Sequence, residues 1–476
     1  MEKERRLLKN TFIVAVGRIS TQLITFFLLP LYTAVLSTKE YGVVELLNTL
    51  IGLFLPILTL QIEQGIFRYL IDCRNNKEKQ IVLITSVLKF LLKQTILYLI
   101  IFGICSFFIK NDYKYFLLAN VIVSMFSSVF LQISRGFGDN KRYSFGSFIA
   151  GVVTVILNVI FITIFKWGAY GMLGASLIAN ILCILYLFLA NKIYSFLDFK
   201  KYDKDILKSL LKYSIPLVPN MLSWWIIDAS DRTIISAILD IGKTGIYAAA
   251  NKFTGVFTTI YNIFNLTWTE SAAININSED RDVFFSKIFD VTIRFFGSLM
   301  LGIIGIMPFA FHILINEKFS DGYEQIPILM IGGMFNILVS FIGTIYVAKK
   351  MTKEIAKTSI YAAIINITIN VILINKIGLF AASISTLVAY MTMFIYRIVD
   401  SRKYAKLKVN FKIIVSMILM LVLSIIAYYY EDQIIRIGIL ALIVIYSIFI
   451  NVKSIKFIIN SIKERMGKSS EKQINC

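Results

Sequence analysis

Three cationic side chains, Arg18, Arg232 and Lys252, sit well inside long apolar runs of the 476-residue sequence. Ionisable groups at such depth in hydrocarbon are costly and mark cavities or transport paths. A guanidinium offers paired N–H donors that match the oxygens of a phosphate or diphosphate, and an ammonium adds a point charge. The chemistry these residues point to is anion binding. Polar residues recur beside them at helical spacing. One stripe runs through Glu45, Asn48, Gly52, Pro56, Thr59 and Glu63, and a second through Asn251, Gly255, Thr258, Asn262, Asn265 and Thr269. A third holds Asn220, Ser223, Trp224, Asp228, Asp231 and Arg232, and Arg18 is followed by Gln22 and Thr25. Asn48, Asn220, Asn262 and Trp224 suit sugar hydroxyls and ring faces. Glu63, Asp228 and Asp231 suit a coupling Na+ or H+. Two plainer readings stand beside these: hydrogen bonding between helices for the uncharged members, and a local ion pair among Asp228, Asp231 and Arg232.

The elements that must carry these residues are membrane helices. The chain is 57% hydrophobic and 16% charged, with a mean hydropathy of +0.75, where soluble domains hold roughly 45–50% apolar and about 25% charged residues. A helical span needs about 20 apolar residues. Fourteen such segments fit, at 11–36, 41–70, 81–109, 115–135, 143–165, 169–196, 209–238, 244–272, 283–315, 324–348, 356–376, 378–400, 411–430 and 434–452. The first apolar run is too long for a signal peptide and is read as the first span. With the N-terminus in the cytoplasm, inner segments carry 34 of the 49 Lys and Arg and outer segments only 8. That asymmetry is the positive-inside pattern. It places both termini in the cytoplasm of a bacterial-type plasma membrane and accounts for the net charge of +20 without nucleic acid.

An internal repeat organises the spans. Asn158-Val-Ile-Phe-Ile is matched by Asn370-Val-Ile-Leu-Ile. Each is followed by a lysine, a turn and a small-residue segment with Gly171, Ala175 and Ser176 answering Gly378, Ala382 and Ser383. The period is six helices, so both halves enter the membrane in the same sense, related by a pseudo-two-fold axis along the membrane normal as in rocking transporters. The expected fold is an all-α polytopic membrane protein. It has a six-helix lobe at 1–200, a second at 201–408, two additional helices at 409–452 and a basic cytoplasmic tail at 453–476.

Several classes are excluded. One histidine, His312, and four scattered cysteines, Cys73, Cys105, Cys183 and Cys476, give no metal or haem spacing. The loops are short and hold no acid–base constellation, so an enzyme such as a polymerase or glycosyltransferase is not expected. No cofactor is expected beyond a coupling Na+ or H+. A drug or cation antiporter would need an acidic cavity, which Asp228 and Asp231 permit and Arg18 and Lys252 oppose.

Four stretches carry a family resemblance: LLPLYTAVLSTKEYGVVELL at 28–47, FRYLID at 67–72, LQISRGFGD at 131–139 and DRTIISAILDIGKTGIYAAANKF at 231–253. In order and spacing they resemble the polysaccharide (O-antigen or capsule) repeat-unit flippases of Wzx type, within the multidrug/oligosaccharidyl-lipid/polysaccharide exporter superfamily. The resemblance implies alternating access around a cationic central cavity. It implies a cargo of undecaprenyl-diphosphate-linked oligosaccharide moved from the cytoplasmic to the outer leaflet, with membrane lipids and polysaccharide polymerase machinery as partners. By position it makes Arg18, Arg68, Arg232 and Lys252 substrate-facing. The lipid II flippases of peptidoglycan synthesis also have two extra C-terminal helices and remain the alternative.

Overall fold

The computed structural model describes residues 26–349 and 351–474. These are helical throughout, with no strand among the described residues. In chain order the helices are α1 (Leu29–Val35), α2 (Thr38–Thr59), α3 (Ile62–Asp72), α4 (Lys77–Ser106), α5 (Lys114–Gly136), α6 (Asn140–Val159), α7 (Gly168–Ala190) and α8 (Lys204–Ser214). They continue as α9 (Val218–Ile238), α10 (Ile241–Asn275), α11 (Arg281–Leu314), α12 (Ile326–Ala348), α13 (Thr352–Ile377), α14 (Leu379–Asp400), α15 (Phe411–Tyr429) and α16 (Gln433–Ile474).

Among the described residues, eleven helices are long and apolar enough to cross a membrane. They coincide with eleven of the fourteen expected segments. Of the other three, the first lies largely outside the described residues. The remaining two are α9 and α10, which are long enough but polar. Asp228, Asp231 and Arg232 crowd α9, and α10 carries Lys252 with a line of asparagines. The helices that miss the apolar criterion are the ones that bear the candidate chemistry. Large apolar side chains such as Ile434, Ile445 and Phe449 of α16 are exposed. So broad an apolar exterior suits hydrocarbon and not water. The chain is a multi-pass membrane protein.

Two expected segments are not single helices. The segment 41–70 breaks between α2 and α3, where Leu60 and Gln61 adopt left-handed backbone with φ of 49° and 57°. Pro56 lies one turn earlier and removes a helical hydrogen bond. The Thr59 hydroxyl accepts from the Gln61 backbone N–H at 3.2 Å, so the break leaves that donor satisfied. The segment 209–238 is likewise interrupted by a short 3-10 turn, Ile215–Leu217, at Pro216. At its other end α2 is fixed by reciprocal caps: the Ser37 hydroxyl accepts from the Glu40 N–H, and the Glu40 carboxylate accepts from the Ser37 N–H at 2.9 Å.

The chain divides into two compact units. The first comprises Met1–Lys252, Ile315–Gln325 and Ala356–Ala389. Its apolar core is built at three- and four-residue spacing, from Ile62, Ile66 and Leu70 of α3, Ile84, Val87 and Leu91 of α4, and Val121, Met125, Val129 and Ile133 of α5. The second comprises Phe253–Leu314, Ile326–Ile355 and Tyr390–Cys476. There Leu301, Met420 and Ile443 hold α11, α15 and α16 together, and Trp268 stacks on Phe341 with ring centroids 4.5 Å apart.

The two matched sequence segments make parallel contacts within the first unit. Asn158 on α6 is buried and donates to the Tyr32 hydroxyl on α1 at 2.8 Å. Asn370 on α13 is buried and donates to the Asp231 carboxylate on α9 at 2.7 Å. Both turns after the matched segments use left-handed backbone, at Gly168 (φ 54°) and Gly378 (φ 58°).

The starts of α2 and α10 approach backbone to backbone. A Cβ at Gly42 would overlap the Ile241 carbonyl, and one at Gly245 would overlap the Thr38 carbonyl. Small residues permit such contact between membrane helices. Gly245→Leu is therefore expected to destabilise the folded protein by about 1–3 kcal/mol, the usual cost of overpacking, read as a lower melting temperature in detergent. Gly103→Leu, where a Cβ meets nothing within 4 Å, should melt as wild type. Equal behaviour of the two variants would refute the close approach.

Candidate functional site

Glu45 of α2 is the centre of the charged chemistry. Its Oε1 lies 2.8 Å from Lys252 Nζ on α10, and its Oε2 lies 3.8 Å from Arg232 Nε on α9. The carboxylate side chain is 8% exposed, Arg232 17% and Lys252 28%. The longer of the two contacts is an ion pair without a hydrogen bond, and Arg232 Nε is a buried donor lacking any partner. Two cations against one carboxylate leave a net positive charge in a partly closed space. Such a cluster can receive an anion, with the guanidinium supplying unused donors. Close by, the Trp225 indole N–H donates to the Thr49 carbonyl at 2.8 Å, fastening α9 to α2.

Asp231 does not share in this pairing. It is 2% exposed, and three donors converge on it: Tyr247 Oη at 2.8 Å and Thr386 Oγ1 at 2.7 Å on one oxygen, Asn370 Nδ2 at 2.7 Å on the other. Three elements beyond its own, α10, α13 and α14, therefore hold one carboxylate. Asp228, one turn earlier, is exposed and lines a cavity.

That cavity, about 550 Å³, opens beside the α2–α3 break within the first unit. Gly52, Pro56, Gln61, Glu63 and Gln64 form one wall, and Trp224, Trp225 and Asp228 of α9 another. Gln132 of α5 and Tyr143 of α6 close it. Glu63 is 5% exposed and its Oε2 has no hydrogen-bond partner. The break is what brings Gln61 and Glu63 to this wall, because it redirects the chain just before them.

The other expected residues are placed as follows. Arg18 lies outside the described residues. Asn220, near the start of α9, has a buried Oδ1 without a partner. Asn48 is exposed on α2, and Asn262 is an exposed residue of the second unit. Arg68 on α3 is half exposed and joined to Asp72 one turn away, Nη1 to Oδ1 at 2.6 Å; it is in neither the charged cluster nor the cavity wall. Among the described residues no group of three or more His, Cys, Asp or Glu could hold a metal ion.

A sequence profile described as "Polysaccharide biosynthesis protein" matches residues 7–268, more than half of the chain. The chain belongs to that family. No curated protein sequence matches it. Among solved structures it is similar to the lipid II flippase MurJ in an inward closed conformation, with a TM-score of 0.69 at 16% identity over 93% of this chain and 100% of that one. It is also similar to an inward-facing multidrug resistance MATE family transporter of the MOP superfamily, with a TM-score of 0.66 at 14% identity over 80% and 97%. At these identities the likeness establishes the fold: this family member has the all-α fold of those membrane transporters. The profile covers all of the cavity wall and the whole Glu45–Arg232–Lys252 cluster.

Sequence reasoning placed Glu45 on a polar stripe but did not single it out. The signal was there, since Glu45 is the carboxylate on α2 nearest in depth to the unpaired basic residues of α9 and α10. Tyr247, Asn370 and Thr386 carried no comparable signal, because their role depends on helices distant in sequence meeting at Asp231.

Breaking a buried ion pair costs about 3–5 kcal/mol because the partner is left uncompensated. Glu45→Ala should therefore lower the melting temperature strongly, since it strands two cations. Adding Lys252→Met should recover part of the loss, giving a coupling of about 1 kcal/mol or more in a double-mutant cycle. Simple additivity would show that the pair is not energetically linked.

Proposed function

We propose that this protein is a flippase that moves undecaprenyl-diphosphate-linked oligosaccharide repeat units from the cytoplasmic to the outer leaflet for surface polysaccharide assembly. The observation that carries the reading is the cluster of two cations on one carboxylate, set directly beside a cavity of aromatic and amide side chains. Asp228 on the cavity wall and Arg232 in the cluster are about one helical turn apart, roughly 6 Å along α9. A diphosphate at Arg232 and Lys252 would thus have its first sugars at the cavity, against Trp224 and the asparagine and glutamine amides. Arg18, Arg68, Asn48, Asn220 and Asn262 are the remaining residues proposed to bind substrate. Membership of the polysaccharide biosynthesis family agrees with a cargo of this kind.

In this reading the prenyl tail stays in lipid. Anion exchange between leaflets would proceed by alternating access of the two proposed six-helix lobes. Asp231, and with it Glu63 and Asp228, are the carboxylates proposed to couple movement to Na+ or H+. The positive-inside pattern of the loops supports both termini in the cytoplasm and an inner-membrane location, and the polymerase machinery would take the product. This work is transport and not catalysis.

A second reading, lipid II export, is favoured by one observation: the similarity to the lipid II flippase extends over 93% of this chain and 100% of that one. Depletion of the protein followed by lipid extraction separates the two. A completed repeat unit on undecaprenyl diphosphate should accumulate; accumulation of lipid II would instead establish the second reading. In the complemented strain Arg232→Ala or Lys252→Ala should cut surface polymer at least tenfold, since one charge-assisted contact is worth about 1.5–3 kcal/mol, with membrane levels of the protein unchanged. Wild-type export by both variants would remove the anion site.

A further inference from the structure

Lys89 and Lys93 of α4 are cations that belong to neither the Glu45 cluster nor the cavity. They stand one turn apart, and a single ring gathers both. Lys89 Nζ lies 4.5 Å and Lys93 Nζ 5.6 Å from the centroid of Tyr202. The two ammoniums are therefore within about 10 Å of each other. An aromatic ring attracts a cation through its quadrupole but carries no charge to cancel it. Among the described residues neither ammonium has an ion-pair or hydrogen-bond partner. Lys201, close by on the loop that carries Tyr202, is by contrast paired with Glu78 at 3.6 Å.

Packing fixes where this pair sits. Two hydroxyls one turn before Lys89 lay the loop 196–203 along α4. Thr85 Oγ1 donates to the Phe196 carbonyl and accepts from the Asp198 N–H, both at 3.2 Å. Ser86 Oγ donates to the Asp203 carbonyl at 3.4 Å and accepts from the Asp203 N–H at 3.1 Å. Asp198, Lys200, Lys201 and Asp203 make the loop too charged for hydrocarbon, so the bilayer surface passes at its level. Past the loop the same side of α4 turns apolar. Lys89, Lys93, Leu97 and Ile101 follow at four-residue spacing and share one face of the helix. Leu97 and Ile101 are 47% and 45% exposed. One stripe thus presents two ammoniums at headgroup level and then bare hydrocarbon, which is the outline of an anionic lipid. A free phosphate would leave the apolar half of the stripe unused.

We propose that Lys89, Lys93 and the Tyr202 ring form a site for the phosphate of an anionic bilayer phospholipid, with an acyl chain along Leu97 and Ile101. Under the proposed topology this lipid belongs to the inner leaflet. The loop leads directly into α8, so a headgroup on the two lysines braces the start of α8 against α4. Neither the site nor its test depends on what the protein carries.

The test is native mass spectrometry of the full chain in detergent, titrated with dioleoyl phosphatidylglycerol or dioleoyl phosphatidylcholine. These lipids share their acyl chains and differ in net charge. The tightest-bound phosphatidylglycerol should exceed phosphatidylcholine at least tenfold in affinity, a difference of about 1.4 kcal/mol, and should raise the melting temperature more. Lys89→Gln/Lys93→Gln should remove this first binding step, while Lys89→Arg/Lys93→Arg should keep it. Lys141→Gln/Lys192→Gln takes the same charge from two other exposed positions and should bind as wild type. Lys93 is itself exposed, so Lys93→Gln alone should weaken binding even where the double variant fails to fold. Equal affinity for the two lipids, or tight binding that survives the Gln substitutions, would overturn the site. A loss as large in the Lys141/Lys192 variant would reduce it to a response to net charge. Displacement of the lipid by millimolar inorganic phosphate, beyond that by chloride at equal ionic strength, would make it a soluble-anion site. Preferential binding of undecaprenyl phosphate would make it a carrier-lipid site. Each of these outcomes also overturns the proposal.

Discussion

Glu45 is the constraint on which the charged interior turns. In hydrocarbon, a single Arg or Lys on a lone helix must find a counter-charge, a cavity or the interface. Here Arg232 and Lys252, on two consecutive helices, find the same carboxylate on α2. One anion for two cations is enough to hold α2, α9 and α10 in register and too little to neutralise them. Full neutralisation, with a second carboxylate, would make a stable but inert junction. No counter-charge at all would leave the burial of both cations unsupported. The remaining positive charge is therefore a consequence of how the fold is held, and α2 and α10 also approach closely at their starts, where Gly42 and Gly245 touch backbone to backbone.

The neighbouring carboxylates show how one helix can present opposite chemistry on successive turns. Asp231 and Arg232 are adjacent in sequence, and an isolated reading pairs them. The structure pairs neither with the other. Asp231 points into donors from α10, α13 and α14, while Arg232, about 100° further round the helix, reaches α2. Asp228 lies close to the Arg232 side of α9 and meets the cavity. Three charges within five residues are thus dispersed to three environments, which is how α9 carries them without losing its helical form.

Much of the fold was legible in the sequence because membrane physics is written in composition. Apolar runs of span length require no knowledge of tertiary contacts, and eleven of them are found as helices among the described residues. The breaks were less legible. Pro56 marked a weak point in the segment 41–70, but the left-handed pair Leu60 and Gln61 carries no glycine to announce it, and only the packing of α3 against α4 and α5 explains why the chain turns there. The site divided along the same line. Residue types that are expensive in hydrocarbon, Arg232, Lys252 and Asp231, stood out at once. Residues that are ordinary in type, such as Tyr247, Asn370 and Thr386, became significant only when distant helices met. Arg68 is a basic residue on a candidate face whose ion-pair partner is Asp72, one turn away.

The repeat gives these contacts a common origin. Asn158 and Asn370 occupy matched positions, and each crosses to the helix that opens its half of the repeat, to Tyr32 in one case and Asp231 in the other. The acceptor of the matched asparagine is a neutral phenol in one case and a carboxylate in the other. A neutral pair fixes a helix–helix contact and does not respond to ions. A carboxylate held by three neutral donors ties its helix to three other elements at once. The matched asparagines thus fasten one helix contact through a neutral pair and the other through a cluster of Asp231, Tyr247, Asn370 and Thr386.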